Sequence, residues 1–105
     1  MSKIKSKTRM KTKTHPYDIA EQLRTKAEMA AYLDAWLSEA PEDVSGIARA
    51  LGDIARAKGM TQVARDTGLS RESLYKALSE DGNPSLMTVL KVARALGLRL
   101  HAKAA

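Results

Sequence analysis

Apolar residues recur at helical spacing in several stretches of this chain, each bracketed by residues that start or stop helices. In the first, Met29, Tyr32, Leu33, Trp36 and Leu37 fall on one side of a helix. Thr25 and Glu28 have the spacing of a capping box, and Pro41 lies beyond the end, so this helix is predicted to run to about residue 39. A second stripe, Val44, Ile47, Ala48, Leu51, Ile54 and Ala55, predicts a helix over 42–58, with Arg49, Arg56 and Lys58 off the stripe. Gly46 and Gly52 weaken it, and Gly59 is placed to stop it. Two short runs follow, 61–67 and 71–78, separated by Gly68, Leu69 and Ser70. Gly82, Asn83 and Pro84 break the chain. Ser85 then caps a last helix to about residue 96, striped by Leu86, Val89, Leu90, Ala93 and Leu96 and stopped by Gly97. Pro16 and Asp18 fit the start of a short helix over 18–23. The alternation Leu98, Arg99, Leu100, His101 predicts a short terminal strand.

The run 71–78 holds more polar groups than a core helix needs. Leu74 and Leu78 mark its buried side. Glu72, Tyr75, Lys76 and Ser79 point the other way, with Arg71 and Ser73 flanking. In the run before it, Val63 and Ala64 are the buried pair, and Ala64 is small enough for two helices to cross closely. Gly68 supplies the left-handed conformation of a tight turn, and Leu74 anchors the second helix. Close crossing, sharp turn and anchor together describe a helix-turn-helix.

Composition narrows the picture. The chain has 105 residues, one Trp, three Tyr and no Phe, so its core is built from Ala, Leu, Ile, Val and Met. One all-α domain with a tail is the expectation. There is no cysteine, which excludes thiol chemistry and fits a reducing cytoplasm. No apolar run approaches the roughly 20 residues of a membrane span, and no apolar segment of a secretory signal follows the basic N-terminus. His15 and His101 are isolated, so no metal site is expected, and no nucleophile motif, phosphate loop or carboxylate pair points to an enzyme or a cofactor.

The net charge of +6 is unevenly spread. Residues 1–16 carry Lys3, Lys5, Lys7, Arg9, Lys11 and Lys13 and no acid; this reads as a disordered basic arm, either a solubilising tail or a contact for nucleic acid. Residues 17–43 carry Asp18, Glu21, Glu28, Asp34, Glu39, Glu42 and Asp43 against Arg24 and Lys26. Residues 44–105 are basic again. A basic, an acidic and a second basic part suggest two different partners.

The run "TQVARDTGLSRESLYKALS" with "GNPSLMTVLKVARALGL" resembles the helix-turn-helix of Cro/C1-type (XRE) DNA-binding domains, a lambda-repressor-like fold. From Tyr17 onward the chain is similar to a narrower family, the addiction-module antidote proteins, which are HigA-like antitoxins. The family's usual Gln at the start of the first helix of the motif falls here at Met60, with Gln62 nearby as a substitute. The resemblance implies five to six helices: acidic N-terminal helices over 17–43 extending a DNA-binding domain over 44–105. It implies a cytoplasmic antitoxin that neutralises a RelE/ParE-like toxin and, as a homodimer, represses its own operon on double-stranded operator DNA. Toxins of that group are small and basic and include ribosome-dependent mRNA endonucleases. The alternative is a free-standing helix-turn-helix transcriptional regulator with no toxin partner.

On that reading Arg71, Glu72, Tyr75 and Lys76 face DNA. Arg grips guanine through O6 and N7, and Glu accepts from cytosine N4. Thr61, Gln62, Ser70 and Ser73 are capping residues that double as phosphate donors. Asp18, Glu21 and Glu28 suit a basic partner, and Tyr32 and Trp36 are of the types that serve either as core or as interface anchors. The dimer seam falls either on the helix 85–96 or on the tail after it.

Overall fold

The computed structural model describes residues 23–79 and 81–104; the basic arm, Asp18, Glu21 and all of the expected helix over 18–23 except Leu23 lie outside them. Among the described residues there are five helices and no strand: α1 (Lys26–Glu39), α2 (Val44–Lys58), α3 (Met60–Thr67), α4 (Arg71–Ala77) and α5 (Leu86–Ala95). The all-α expectation holds. The predicted strand at 98–101 does not form; two apolar residues in alternation give no ladder where no partner strand exists.

Local chemistry sets the boundaries. At α1 the capping box is complete: Glu28 N–H donates to Thr25 Oγ1 at 3.1 Å and Thr25 N–H donates to Glu28 Oε1 at 3.0 Å. Asp43 caps α2 by accepting from Gly46 N–H at 2.8 Å. Ser70 and Ser85 cap α4 and α5 in the same way. At the end of α5 the N–H groups of Gly97 and Leu98 donate to the carbonyls of Arg94 and Ala93, the paired bonds of a Schellman motif.

α1 packs on α2, α2 on α3 and α5, and α3 on both α4 and α5. The core they enclose contains Leu51, Ile54, Val63, Leu74, Leu78, Val92 and Leu96, all essentially inaccessible, joined by Leu23, Met29, Leu33 and Met60. Three sequence-based stripes need correction. Leu37, near the end of α1, is exposed. Val44, at the first turn of α2, is exposed. On α5 the buried residues are Val92, Ala93 and Leu96, while Leu86 and Leu90 face out. A ten-residue helix has too few apolar positions for periodicity to place its buried centre within a turn. The neighbours decide instead, and α2 and α3 receive the side that holds Val92.

Gly52 lies inside α2, where glycine costs about 1 kcal/mol relative to alanine. Here it is required for packing. A Cβ on Gly52 would stand 2.7 Å from the Leu78 carbonyl oxygen, which is backbone and cannot swing away. Gly52→Ala is therefore expected to reverse the usual sign and destabilise the fold by about 1–3 kcal/mol. Thermal unfolding of the two proteins checks this; a rise in Tm for the alanine form would contradict it.

Candidate nucleic-acid interface

The turn from α3 to α4 is made by residues 68–70. Gly68 takes the left-handed conformation, with φ +78° and ψ 11°, and its N–H donates to the Ala64 carbonyl at 2.9 Å. The Thr67 hydroxyl donates back to the Val63 carbonyl at 2.8 Å and accepts from Leu69 N–H at 3.2 Å. Leu69 packs against the core and fixes the far side of the turn. α4 then starts at Ser70, whose Oγ accepts from Ser73 N–H at 3.0 Å and lies 2.9 Å from Ser73 Oγ.

All eight residues expected at this face are exposed: Thr61, Gln62, Ser70, Arg71, Glu72, Ser73, Tyr75 and Lys76. Leu74 and Leu78 point inward as anticipated, so α4 turns Arg71, Glu72, Tyr75 and Lys76 outward as a group. The Arg71 guanidinium sits 5.7 Å from the centre of the Tyr75 ring and 3.5 Å from its hydroxyl, lying back along the helix. Gln62 donates to Asp66 at 2.9 Å. The expectation that Thr61 and Gln62 cap their helix is not met: α3 has Gly59 as its N-cap and no side-chain capping bond. Met60, in the position where the resemblance expects a polar contact, is buried and belongs to the core.

The α1–α2 side carries the other singled-out residues. Glu28 is exposed, but its carboxylate accepts from the N–H groups of both Arg24 and Thr25, so it is engaged in capping. Tyr32 packs on the core and its hydroxyl donates to Asp53 at 2.8 Å, while Arg56 donates to the other Asp53 oxygen at 2.9 Å. Burial, and then the Asp53 charge, push the Tyr32 hydroxyl well above its ordinary pKa of 10.0. Of the two readings open for Trp36, core or interface anchor, the first is not met: it is half-buried and outside the core cluster. Its ring lies against Gly46, and the Arg49 guanidinium stands 5.7 Å from its centre. Leu37 and Val44, which sequence reading placed inside, are exposed beside it, where α1 ends and α2 begins. Among the described residues no group of acids, histidines or cysteines could hold a metal ion. No helix among them is long and apolar enough to cross a membrane.

Residues 13–104 match the family model described as "Probable addiction module antidote protein". The chain belongs to that family of addiction-module antidotes. A curated relative from Haemophilus influenzae (strain Rd), named only as an uncharacterized protein, is 51% identical over 85 residues, covering 81% of this chain and 86% of its own length. No solved structure matches. Membership in an antidote family implies a cognate toxin as partner.

In this antidote the link from Tyr32 to Asp53 ties α1 to α2, and Tyr32→Phe is expected to cost about 0.5–1.5 kcal/mol. Because the folded-state pKa of Tyr32 lies above the unfolded one, its contribution is complete below pH 10 and fades as pH rises beyond that. Urea unfolding at pH 8 and again above pH 10 should show the gap between the two proteins narrowing at the higher pH. A gap that widened there would mean that Tyr32 is not held as the neutral donor.

Proposed function

We propose that this protein is the antitoxin of a type II toxin–antitoxin module. It binds and neutralises a RelE/ParE-like toxin and represses its own operon by binding the operator as a homodimer. The observation that carries the DNA half is the outward face of α4. Arg71, Glu72, Tyr75 and Lys76 stand exposed on a helix fixed to the core by Leu74 and introduced by a tight glycine turn. Arg71 and Glu72 lie in the first turn, the part of a recognition helix that meets base edges in the major groove. Lys76 serves bases or phosphates. Thr61, Gln62, Ser70 and Ser73 sit at the starts of α3 and α4, where exposed N–H groups favour a phosphate. To reach a base, Arg71 leaves the Tyr75 ring, a weak exposed contact to give up.

The antitoxin half rests on membership in the antidote family together with the acidic residues 17–43. A basic toxin is drawn to that segment by complementary charge. Trp36, flanked by exposed Leu37 and Val44 and by the acids Glu39, Glu42 and Asp43, is the anchor there. Glu28 and Tyr32, engaged in a cap and in the Asp53 link, support the surface; Asp18 and Glu21 add to the negative charge of the sequence segment 17–43.

Arg71→Ala is expected to weaken binding to the operator by about 1–3 kcal/mol and to relax preference at one base step. Titration of operator and random duplexes, at one salt concentration, measures both. An equal loss on both duplexes would make Arg71 a phosphate contact. Footprinting should show an inverted repeat with half-site centres about 34 Å apart; a single unrepeated site holding one chain would refute the paired mode.

A further inference from the structure

Trp36 sits at the corner where α1 ends and α2 begins, half in and half out of water. Gly46 decides what stands beside it. A Cβ at Gly46 would collide with the Cζ3 edge of the Trp36 ring and, at the same point, with Oδ2 of Asp43. The missing side chain therefore brings an indole edge and a carboxylate oxygen together against the first turn of α2. The fold uses only half of that carboxylate. Oδ1 accepts from Gly46 N–H at 2.8 Å and caps α2, while Oδ2 carries no hydrogen bond or ion pair among the described residues.

An aromatic ring beside a free carboxylate oxygen suits one kind of guest. The stem of a lysine or the guanidinium plane of an arginine covers the ring, and the charged head meets the carboxylate. The ring already attracts a cation of its own chain, the Arg49 guanidinium, 5.7 Å from its centre. Arg49 is exposed, so that contact is weak and does not bar a second cation. The surroundings favour the same guest. Exposed Leu37 and Val44 supply an apolar rim, exposed Glu39 and Glu42 supply negative charge, and the chain has no basic residue between Lys26 and Arg49. Such a surface attracts a cationic partner and repels a polyanion.

We infer that this corner is a socket for a single arginine or lysine of the toxin, presented next to an aliphatic side chain. The cationic residue lies along Trp36 and ends at Asp43 Oδ2, and the aliphatic one rests on Leu37 and Val44. Gly46 is a positioning residue: it touches no partner and keeps the two walls of the socket together. This rests on the antitoxin reading proposed above and names the partner group that reading leaves open.

Trp36 is the chain's one tryptophan, which gives a direct test. With 5-fluorotryptophan placed in this chain alone, fluorine NMR of the full-length protein follows that ring by itself. Unlabelled product of the neighbouring gene should shift the resonance, and an operator duplex should not. Asp43→Ser keeps a cap on α2 and removes the charge; it should weaken capture of that product several-fold and make the affinity less dependent on salt. Trp36→Leu should raise the dissociation constant by about tenfold or more and leave the salt dependence in place. The resonance of the unmodified chain decides the outcome even where a variant fails to fold. A stable complex in which the resonance stays in place, or an affinity indifferent to both substitutions, overturns the socket and leaves the antitoxin reading standing. A resonance that moves with the chain's own concentration or with the duplex, and not with the neighbour's product, also overturns it, because the corner then belongs to a second copy or to DNA. A neighbour that forms no complex overturns the antitoxin reading and the socket with it.

Discussion

A helix of seven residues does not persist in water, because nucleating it costs more than its few hydrogen bonds return. α4 exists because Leu74 and Leu78 are taken into the cluster formed by Leu51, Ile54, Val63, Val92 and Leu96. The contact that makes this possible is the approach of the Leu78 backbone to Gly52, closer than any side chain at that position would allow. Everything α4 offers on its other side depends on that insertion. Arg71, Glu72, Tyr75 and Lys76 are held at fixed angles to one another by a helix that the rest of the molecule holds in place. Val63 and Met60 of α3 sit in the same cluster, so the two helices of the motif are fixed to one core on either side of the Gly68 turn.

Much of this was legible in the sequence because it is set locally. The capping box at Thr25 and Glu28, the serine caps at Ser70 and Ser85, the left-handed Gly68 and the pairing of Leu74 with Leu78 follow from residue type and spacing, and each appears as expected. What was not legible depends on contacts between distant residues. Tyr32 finds Asp53 on α2, 21 positions away, and no spacing rule connects them. Gly52 reads as a weak point in a helix until Leu78 is seen against it. Leu86 and Leu90 fit a helical stripe as well as Val92 does, and only the positions of α2 and α3 show which side of α5 is inside. Met60, which stands where a polar residue was expected, is explained by burial: the first turn of α3 is part of the core.

The charge pattern divides along the same structural lines. Glu39, Glu42 and Asp43 lie where α1 gives way to α2, near a Trp whose ring lies against Gly46 and is within reach of Arg49. The exposed bases of α4 and the polar starts of α3 and α4 lie on the helix-turn-helix. On the function proposed above, keeping these potentials on separate elements serves both partners, since a basic toxin and a polyanion would each be repelled by the surface meant for the other.

The most direct measurement is co-expression of the full-length chain with the product of its neighbouring gene, followed by purification through a tag on this chain alone. A stoichiometric complex that survives moderate salt, together with growth arrest when the neighbour is expressed by itself and recovery when both are present, is the expected result. A neighbour that neither co-purifies nor arrests growth, with operator binding intact, would contradict the antitoxin reading and leave a transcriptional regulator with no protein target.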